Sequence, residues 1–255
     1  MSRTPQSTDD AELIGVLRAA ADAIAAALAG LDDWGLAGTR AGQHRCDLVA
    51  DAAALAVLDG AGLGVLSEES GRHGTDRPLT VVLDPVDGSA NASRGLPFYA
   101  ASLCVLDAEG PRAAVVAHLA GGPLYEAVRG GGALRDGTPI GPSGCSALRG
   151  AVVGMNGWPH RHLGWSQYRA LGSAALELCA VAEGSLDAYC DVSGEGLAPW
   201  DYLGALLVCT EVGAVVTAVE DMVGQLWVGE HRRPLVAAAT PGLAAELLVA
   251  RRNLA

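Results

Sequence analysis

Two aspartates three residues apart, in Asp84-Pro85-Val86-Asp87-Gly88-Ser89, form the strongest local feature of this 255-residue chain. The apolar run Leu-Thr-Val-Val-Leu at 79–83 has the length and β-branching of a buried strand and delivers Asp84 at its C-terminal end. Pro85 has no N–H and is expected to end the ladder there. Gly88 permits a tight turn, and Ser89 suits the start of a short helix over 90–95. Two carboxylates at a strand end hold a hard cation through oxygen, and free backbone N–H groups beside them take a phosphate. By residue type alone, the same hexapeptide is also an Asp-rich turn with a capping serine.

Two more acidic segments lie at element ends. Ser67-Glu68-Glu69-Ser70 follows a short strand expected over 64–67, and Pro199-Trp200-Asp201-Tyr202 opens an apolar helix expected over 201–210. Taken singly, the first is a pair of solvated acids and the second a helix cap. Together with the hexapeptide they put acids on three loops of a rigid scaffold, where function concentrates.

S-E-E-S, D-P-V-D-G-S and P-W-D resemble the three motifs of the inositol monophosphatase family, lithium-sensitive and Mg²⁺-dependent phosphatases. Tyr125-Glu126-Ala127, Gly172-Ser173-Ala174-Ala175-Leu176 and Asp187-Ala188-Tyr189 extend the resemblance to roughly 14–248. The resemblance implies that Glu68, Asp84 and the Val86 carbonyl hold one Mg²⁺. Asp84, Asp87 and Asp201 hold a second, and a weaker third ion sits near Glu68. It implies a phosphate bonded by the Gly88 and Ser89 N–H groups, water oriented by Asp51 and Ser89, and support from Glu69. Substrate contacts fall to Asp87, Gly88, Ser89, Ala174, Asp191, Glu195 and Asp201. A phosphate monoester is dianionic near neutral pH and repels nucleophiles; hard cations on carboxylates offset that charge and activate water.

The chain departs from the family pattern in several places. The family's lysine is absent from the stretch Gln43-His44-Arg45-Cys46-Asp47-Leu48-Val49-Ala50-Asp51, and two residues are missing before Asp51, so Asp47 is the other candidate for the water-orienting acid. Ser89 stands for threonine and Ala92 for an aromatic residue. The segment 191–199 is about three residues longer, which bears on substrate identity.

The elements that must position these residues follow from periodicity and breakers. Helices are expected over 9–28, 47–58 and 173–182, with a last one from Pro241. Strands are expected over 99–106, 113–119, 124–128, 151–155, 186–190, 215–219 and 235–239, with a hairpin at Asp136-Gly137. Short links favour antiparallel pairing in the first half. The Gly-rich 129–132 reads as a turn, His160 and His162 as parts of a surface loop, and Trp34 and Trp158 as packing residues.

The net charge of −12, with arginine as the only strong base, argues against nucleic acid and anionic lipid as partners. No run of 18 apolar residues exists, and the polar start over 1–10 lacks a signal peptide's apolar stretch. The six cysteines form no C-x-x-C pair and read as free thiols in a reducing cytoplasm.

The expected fold is α/β with sugar-phosphatase-like α-β-α-β-α layers: a largely antiparallel N-terminal sheet and a smaller mixed C-terminal one. The expected halves are 1–142, carrying the metal motifs, and 143–255, completing the site; the resemblance also implies a homodimer. The expected reaction is Mg²⁺-dependent hydrolysis of a small phosphate monoester, with inositol 1-phosphate as default. Histidinol phosphate, fructose 1,6-bisphosphate and adenosine 3′,5′-bisphosphate are alternatives, and a non-catalytic metal- or phosphate-binding relative is the rival of another class.

Overall fold

Helices α1 (Asp10–Ala29) and α2 (Arg45–Gly60) open the chain, followed by β1 (Gly64–Ser67), β2 (Gly71–His73), β3 (Thr80–Asp87) and the single-turn α3 (Ser89–Ala92). Then come β4 (Ala100–Asp107), β5 (Gly110–His118), β6 (Leu124–Val128), β7 (Gly132–Arg135) and β8 (Thr138–Pro139). The remainder is β9 (Val152–Asn156), β10 (Gln167–Arg169), α4 (Ala174–Ala182), β11 (Ala188–Asp191), α5 (Pro199–Glu211), β12 (Val215–Ala218), β13 (Leu235–Ala238) and α6 (Pro241–Arg252). This computed structural model describes residues 9–220, 226–227 and 229–254; the polar start, up to residue 8, lies outside them.

β1 to β8 form one sheet in the order β2-β1-β3-β4-β5-β6-β7-β8, antiparallel except for β1 beside β3. β9 to β13 form a second, mixed sheet in the order β10-β9-β11-β13-β12. Alternation along the strands sorts the core into layers. Val81 and Leu83 of β3 face α1 and α2, whereas Val82 faces the cluster that holds α4 and α5. Tyr189 and Ala237 of the small sheet close that middle cluster from beyond, and Ala188, Val236 and Ala238 turn outward onto α6. The result is the α-β-α-β-α layering.

β3 differs from the expectation: it does not stop at Pro85 but continues to Asp87, with its register against β4 shifting between Asp84 and Asp87. Pro85 is tolerated because β1 ends its pairing at Leu83, so no neighbour asks for the missing N–H on that side. Asp84 and Asp87 both stay paired with β4, opposite Ser102 and Ala100, and the irregularity falls on Pro85 and Val86 between them. The edge strands β2 and β10 carry little apolar signal and were not expected.

Trp34 packs edge-on against Tyr99 at 6.2 Å. Trp158 is 74% exposed and does not pack into the core: it lies on the excursion between β9 and β10, beside Tyr168. The 129–132 segment is the β6–β7 turn, tied down by the Gly130 and Gly132 N–H groups, which donate to the Glu211 carboxylate at 2.9 and 3.0 Å.

Candidate active site

Three acids from three elements meet in a cleft of about 360 Å³ between the two sheets. Glu68 follows β1, its N–H held by the Leu83 carbonyl at 3.0 Å. Asp84 sits on β3 and Asp201 in the first turn of α5. One carboxylate oxygen from each lies within 4.8 Å of the others. Asp201 is both a cap and a member of the cluster. Its Oδ2 accepts the Ala198 N–H at 2.7 Å, which anchors the helix start and aims the group.

Asp87 is held from the far side. Its Oδ2 accepts from Ser173 Oγ at 2.5 Å and from the Ala175 N–H at 2.8 Å, at the start of α4. These bonds tie the end of β3 to the start of α4. Gly88 has φ +90°, and a Cβ there would lie 2.9 Å from the Gly172 carbonyl oxygen and 3.1 Å from that of Phe98. Only glycine lets the turn approach so closely.

The two acids of α2 separate cleanly. Asp47 is buried near the helix start, where Oδ2 accepts the His44 N–H at 2.7 Å. Burial raises its pKa, opposed by the bonds from the His44 N–H and the Cys46 thiol and by the nearby Ser89 hydroxyl, and its charge is felt at Glu68 and Asp84. Asp51, one turn on, points elsewhere. Its Oδ1 accepts from Ser67 Oγ at 2.5 Å, and that oxygen accepts the Glu69 N–H at 3.0 Å. Asp51 therefore shapes the Ser67–Glu69 turn from behind. Glu69 is gripped by Gln43 and by Arg40 Nη2 at 3.0 Å, while Arg40 Nη1 donates to the Glu68 carbonyl at 3.2 Å. A cation thus stands beside these glutamates although the expected lysine is missing.

Glu195 and Ala174 also line the cleft, but Asp191 does not. Asp191 is fully buried at the end of β11, its Oδ1 accepting from the Ser193 N–H at 2.8 Å and from Asn156 Nδ2 at 3.3 Å. Sequence reasoning passed over Asn156, Glu177, Ser193 and Arg232, all of which line the cleft. Glu177 is the fourth residue of α4, on the helix that begins with the quoted Ala174-Ala175-Leu176; its position carried the signal. Arg232 carried none, because its place depends on a contact across more than thirty residues.

The electrostatics ask for a cation. Burial first, then Asp201, Glu69 and Asp47, push the Glu68 carboxyl up to about 7. Burial and Asp87 push Asp201 up to about 7, and burial pushes Asp87 up to about 6 against its bonds from Ser173 and Ala175. Asp84, buried among all of these, is raised well above the usual carboxylate range. Such a set is mutually repelling when ionised. Its donors are oxygens, and the cleft wall contains no histidine or cysteine among the described residues. That chemistry fits Mg²⁺, which takes carboxylate oxygens and keeps several waters.

Residues 59–254 match the model of the inositol monophosphatase family. A fructose-1,6-bisphosphatase/inositol-1-monophosphatase of Archaeoglobus fulgidus is 35% identical over 178 residues, which cover 68% of this chain and 69% of that one. Nus factor SuhB of Salmonella typhimurium is 32% identical over 169 residues, covering 60% of this chain and 62% of its own length. Among solved structures, the extragenic suppressor protein SuhB of Bartonella henselae superposes with a TM-score of 0.82 at 25% identity, covering 94% of this chain and 98% of that one.

Proposed function

Because the chain belongs to the inositol monophosphatase family and is a phosphoric monoester hydrolase of that type, we propose that it uses Mg²⁺ to hydrolyse a small polyol or sugar phosphate, with inositol 1-phosphate as default substrate. The observation that carries this reading is the convergence of Glu68, Asp84 and Asp201 within 4.8 Å, beside Asp87 and the Gly88–Ser89 turn.

In this reading Glu68, Asp84 and the Val86 carbonyl would hold one ion, Asp84, Asp87 and Asp201 would hold a second, and Glu68 would help to hold a third. When bound, the ions offset the charge of the phosphate and make water nucleophilic at neutral pH. The chain's own groups do the rest. The Gly88 and Ser89 N–H groups donate to phosphate oxygens and fix the group for in-line attack. The Ser89 hydroxyl, close to the Asp47 carboxylate, orients the attacking water, and Asp47 takes the proton it loses. Asp47 fills this role in place of Asp51, whose carboxylate is engaged by Ser67. Glu69, clamped by Arg40 and Gln43, keeps Glu68 in register. Glu195 and Ala174 meet the leaving group, while Asp191 holds the loop that carries Glu195.

The division into 1–142, which supplies Glu68, Asp84 and Asp87, and 143–255, which supplies Asp201 and the opposite wall, belongs to the same reading. So do a cytoplasmic location, supported by six free cysteines, and a homodimer. Support for the dimer is β10, an edge strand with all three residues exposed, whose central Tyr168 stands beside the outward Trp158. A two-fold partner would pair that edge and cover both rings. Light scattering checks it: a dimer that Tyr168→Glu converts to monomer supports the pairing, and a monomeric wild type removes it. No helix among the described residues is long and apolar enough to cross a membrane.

The test is phosphate release from a panel of metabolite monoesters with and without Mg²⁺. Release from a polyol or sugar phosphate only when Mg²⁺ is present supports the reading, and release in excess chelator overturns it.

A further inference from the structure

The lengthened segment before Trp200 is not a free loop. Leu197 and Arg233 exchange backbone bonds, N–H to carbonyl, at 2.9 and 2.8 Å. Gly196, at φ +74°, packs so closely that a Cβ would lie 2.7 Å from the Arg233 carbonyl carbon and 2.8 Å from the Pro234 nitrogen. Arg233 is buried and fastens this strap, donating to the Tyr202 hydroxyl at 3.2 Å and the Leu226 carbonyl at 3.4 Å. Its neighbour Arg232 faces the cleft.

Arg232 is the one cationic side chain on the cleft wall among the described residues. Nη1 donates to the Gly196 carbonyl at 3.0 Å and stands 3.9 Å from Asp201 Oδ2, and 47% of the side chain is exposed. Nε and Nη2 have no acceptor on the described chain. In an acidic cleft that must already accommodate cations, a guanidinium is repelled by any ion beside Asp201 and is not needed to neutralise that carboxylate. What a fork of free N–H donors beside a phosphate site does recognise is a planar or tetrahedral oxyanion.

We propose that Arg232 anchors a second anionic group of the substrate, on the leaving-group side of the cleft, so that a sugar phosphate carrying a second phosphate or a carboxylate is favoured over its matching monophosphate. The proposal rests on the phosphatase reading above and deepens it. The reacting phosphate lies over Glu68, Asp84 and Asp201; the second anion lies on the Arg232 fork; Gly196, by allowing the strap to close, sets the distance between them.

The experiment compares kcat/KM of the whole protein with Mg²⁺ on a hexose bisphosphate, the matching hexose monophosphate, a phosphorylated sugar acid and an aryl phosphate, in wild type, Arg232→Gln and Arg232→Lys. The expected result is that Arg232→Gln lowers kcat/KM for a doubly anionic substrate roughly ten- to a hundredfold more than for the monophosphate, mainly through KM, as for loss of charged hydrogen bonds. Arg232→Lys should recover part of that ratio. Whether the bisphosphate or the sugar acid suffers more says which oxyanion the fork prefers. Equal losses on all four substrates would make Arg232 a brace for the strap and overturn the proposal, as would a wild type without preference for the doubly anionic pair. Absence of Mg²⁺-dependent release from every substrate, the aryl phosphate included, would instead defeat the phosphatase reading itself.

Discussion

The two walls of the cleft are built by opposite means. On one wall, carboxylates crowd together with raised pKa values, held by backbone bonds that tolerate their repulsion. On the other, Glu195 and Arg232 ride on two chain segments zipped by Leu197 and Arg233. The first wall gathers unfavourable charge that protons or a cation relieve; the second is an ordinary, satisfied strap whose side chains remain available. Chemistry sits on the destabilised wall and selection on the relaxed one, so damage to each should look different.

The largest effect should come from the acidic wall. Asp84→Asn and Asp201→Asn are each expected to lower Mg²⁺-dependent turnover by well over about a hundredfold, since even outer partners of a metal site cost that much. Thermal melts without metal should show the same or higher Tm, because a repelling buried carboxylate is gone. A large loss of Tm in chelator would mean these residues hold the fold and not an ion.

Next, the two acids of α2 sharpen the contrast within one helix. Asp47→Asn should slow turnover by about a hundredfold or more, the scale of a lost general base, with Ser89→Ala smaller. Asp51→Asn should leave turnover nearer to wild type and cost about 1–2 kcal/mol in urea unfolding, through the Ser67 bond. The reverse ranking in steady-state kinetics would restore Asp51 to the reaction.

Protonation separates the walls by a smaller margin. Glu68, Asp87 and Asp201 titrate near 7, 6 and 7 when folded, above the usual carboxylate value of about 4. A raised folded pKa means that the folded state binds protons more tightly. The stability it contributes is complete below the unfolded pKa and is lost as pH rises through the folded one. The metal-free protein should therefore melt lower at pH 8 than at pH 5. Mg²⁺ must displace those protons, so its affinity should rise between pH 5.5 and 8. Melting curves that do not change with pH in chelator would contradict the charge crowding.

The smallest effect on phosphate chemistry should come from the strap. Gly196→Ala forces a positive φ and a backbone clash, and should cost about 1–3 kcal/mol. Its kinetic signature should be altered ranking among polyol phosphates more than altered aryl phosphate hydrolysis. Uniform loss on all substrates would tie the strap to the metal wall.

The acidic wall and the layers were legible in the sequence because both are coded locally. Glu68 follows a strand of four residues, and Asp84 and Asp87 follow one apolar run. Asp201 opens an apolar helix. The alternation in β3 and β4 likewise fixes which side chains meet which layer. What escaped is coded by distance. Arg232 reaches the cleft only because the 231–234 segment pairs with Leu197. Asp51 shares a face of α2 with Asp47 and differs only in lying one turn further on, where Ser67 engages it, which spacing to a deleted turn did not reveal. Trp158 is exposed because the excursion before β10 leaves the sheet, and its composition does not distinguish that from packing.

The most direct test of the account follows inorganic phosphate released from inositol 1-phosphate, and from an aryl phosphate as control, across a Mg²⁺ titration begun in excess chelator, with wild type and Asp201→Asn side by side. The account predicts no turnover in chelator, saturable activation by Mg²⁺ in the wild type, and its loss in the variant. Undiminished turnover in chelator, or wild-type rates in Asp201→Asn at saturating Mg²⁺, would contradict it.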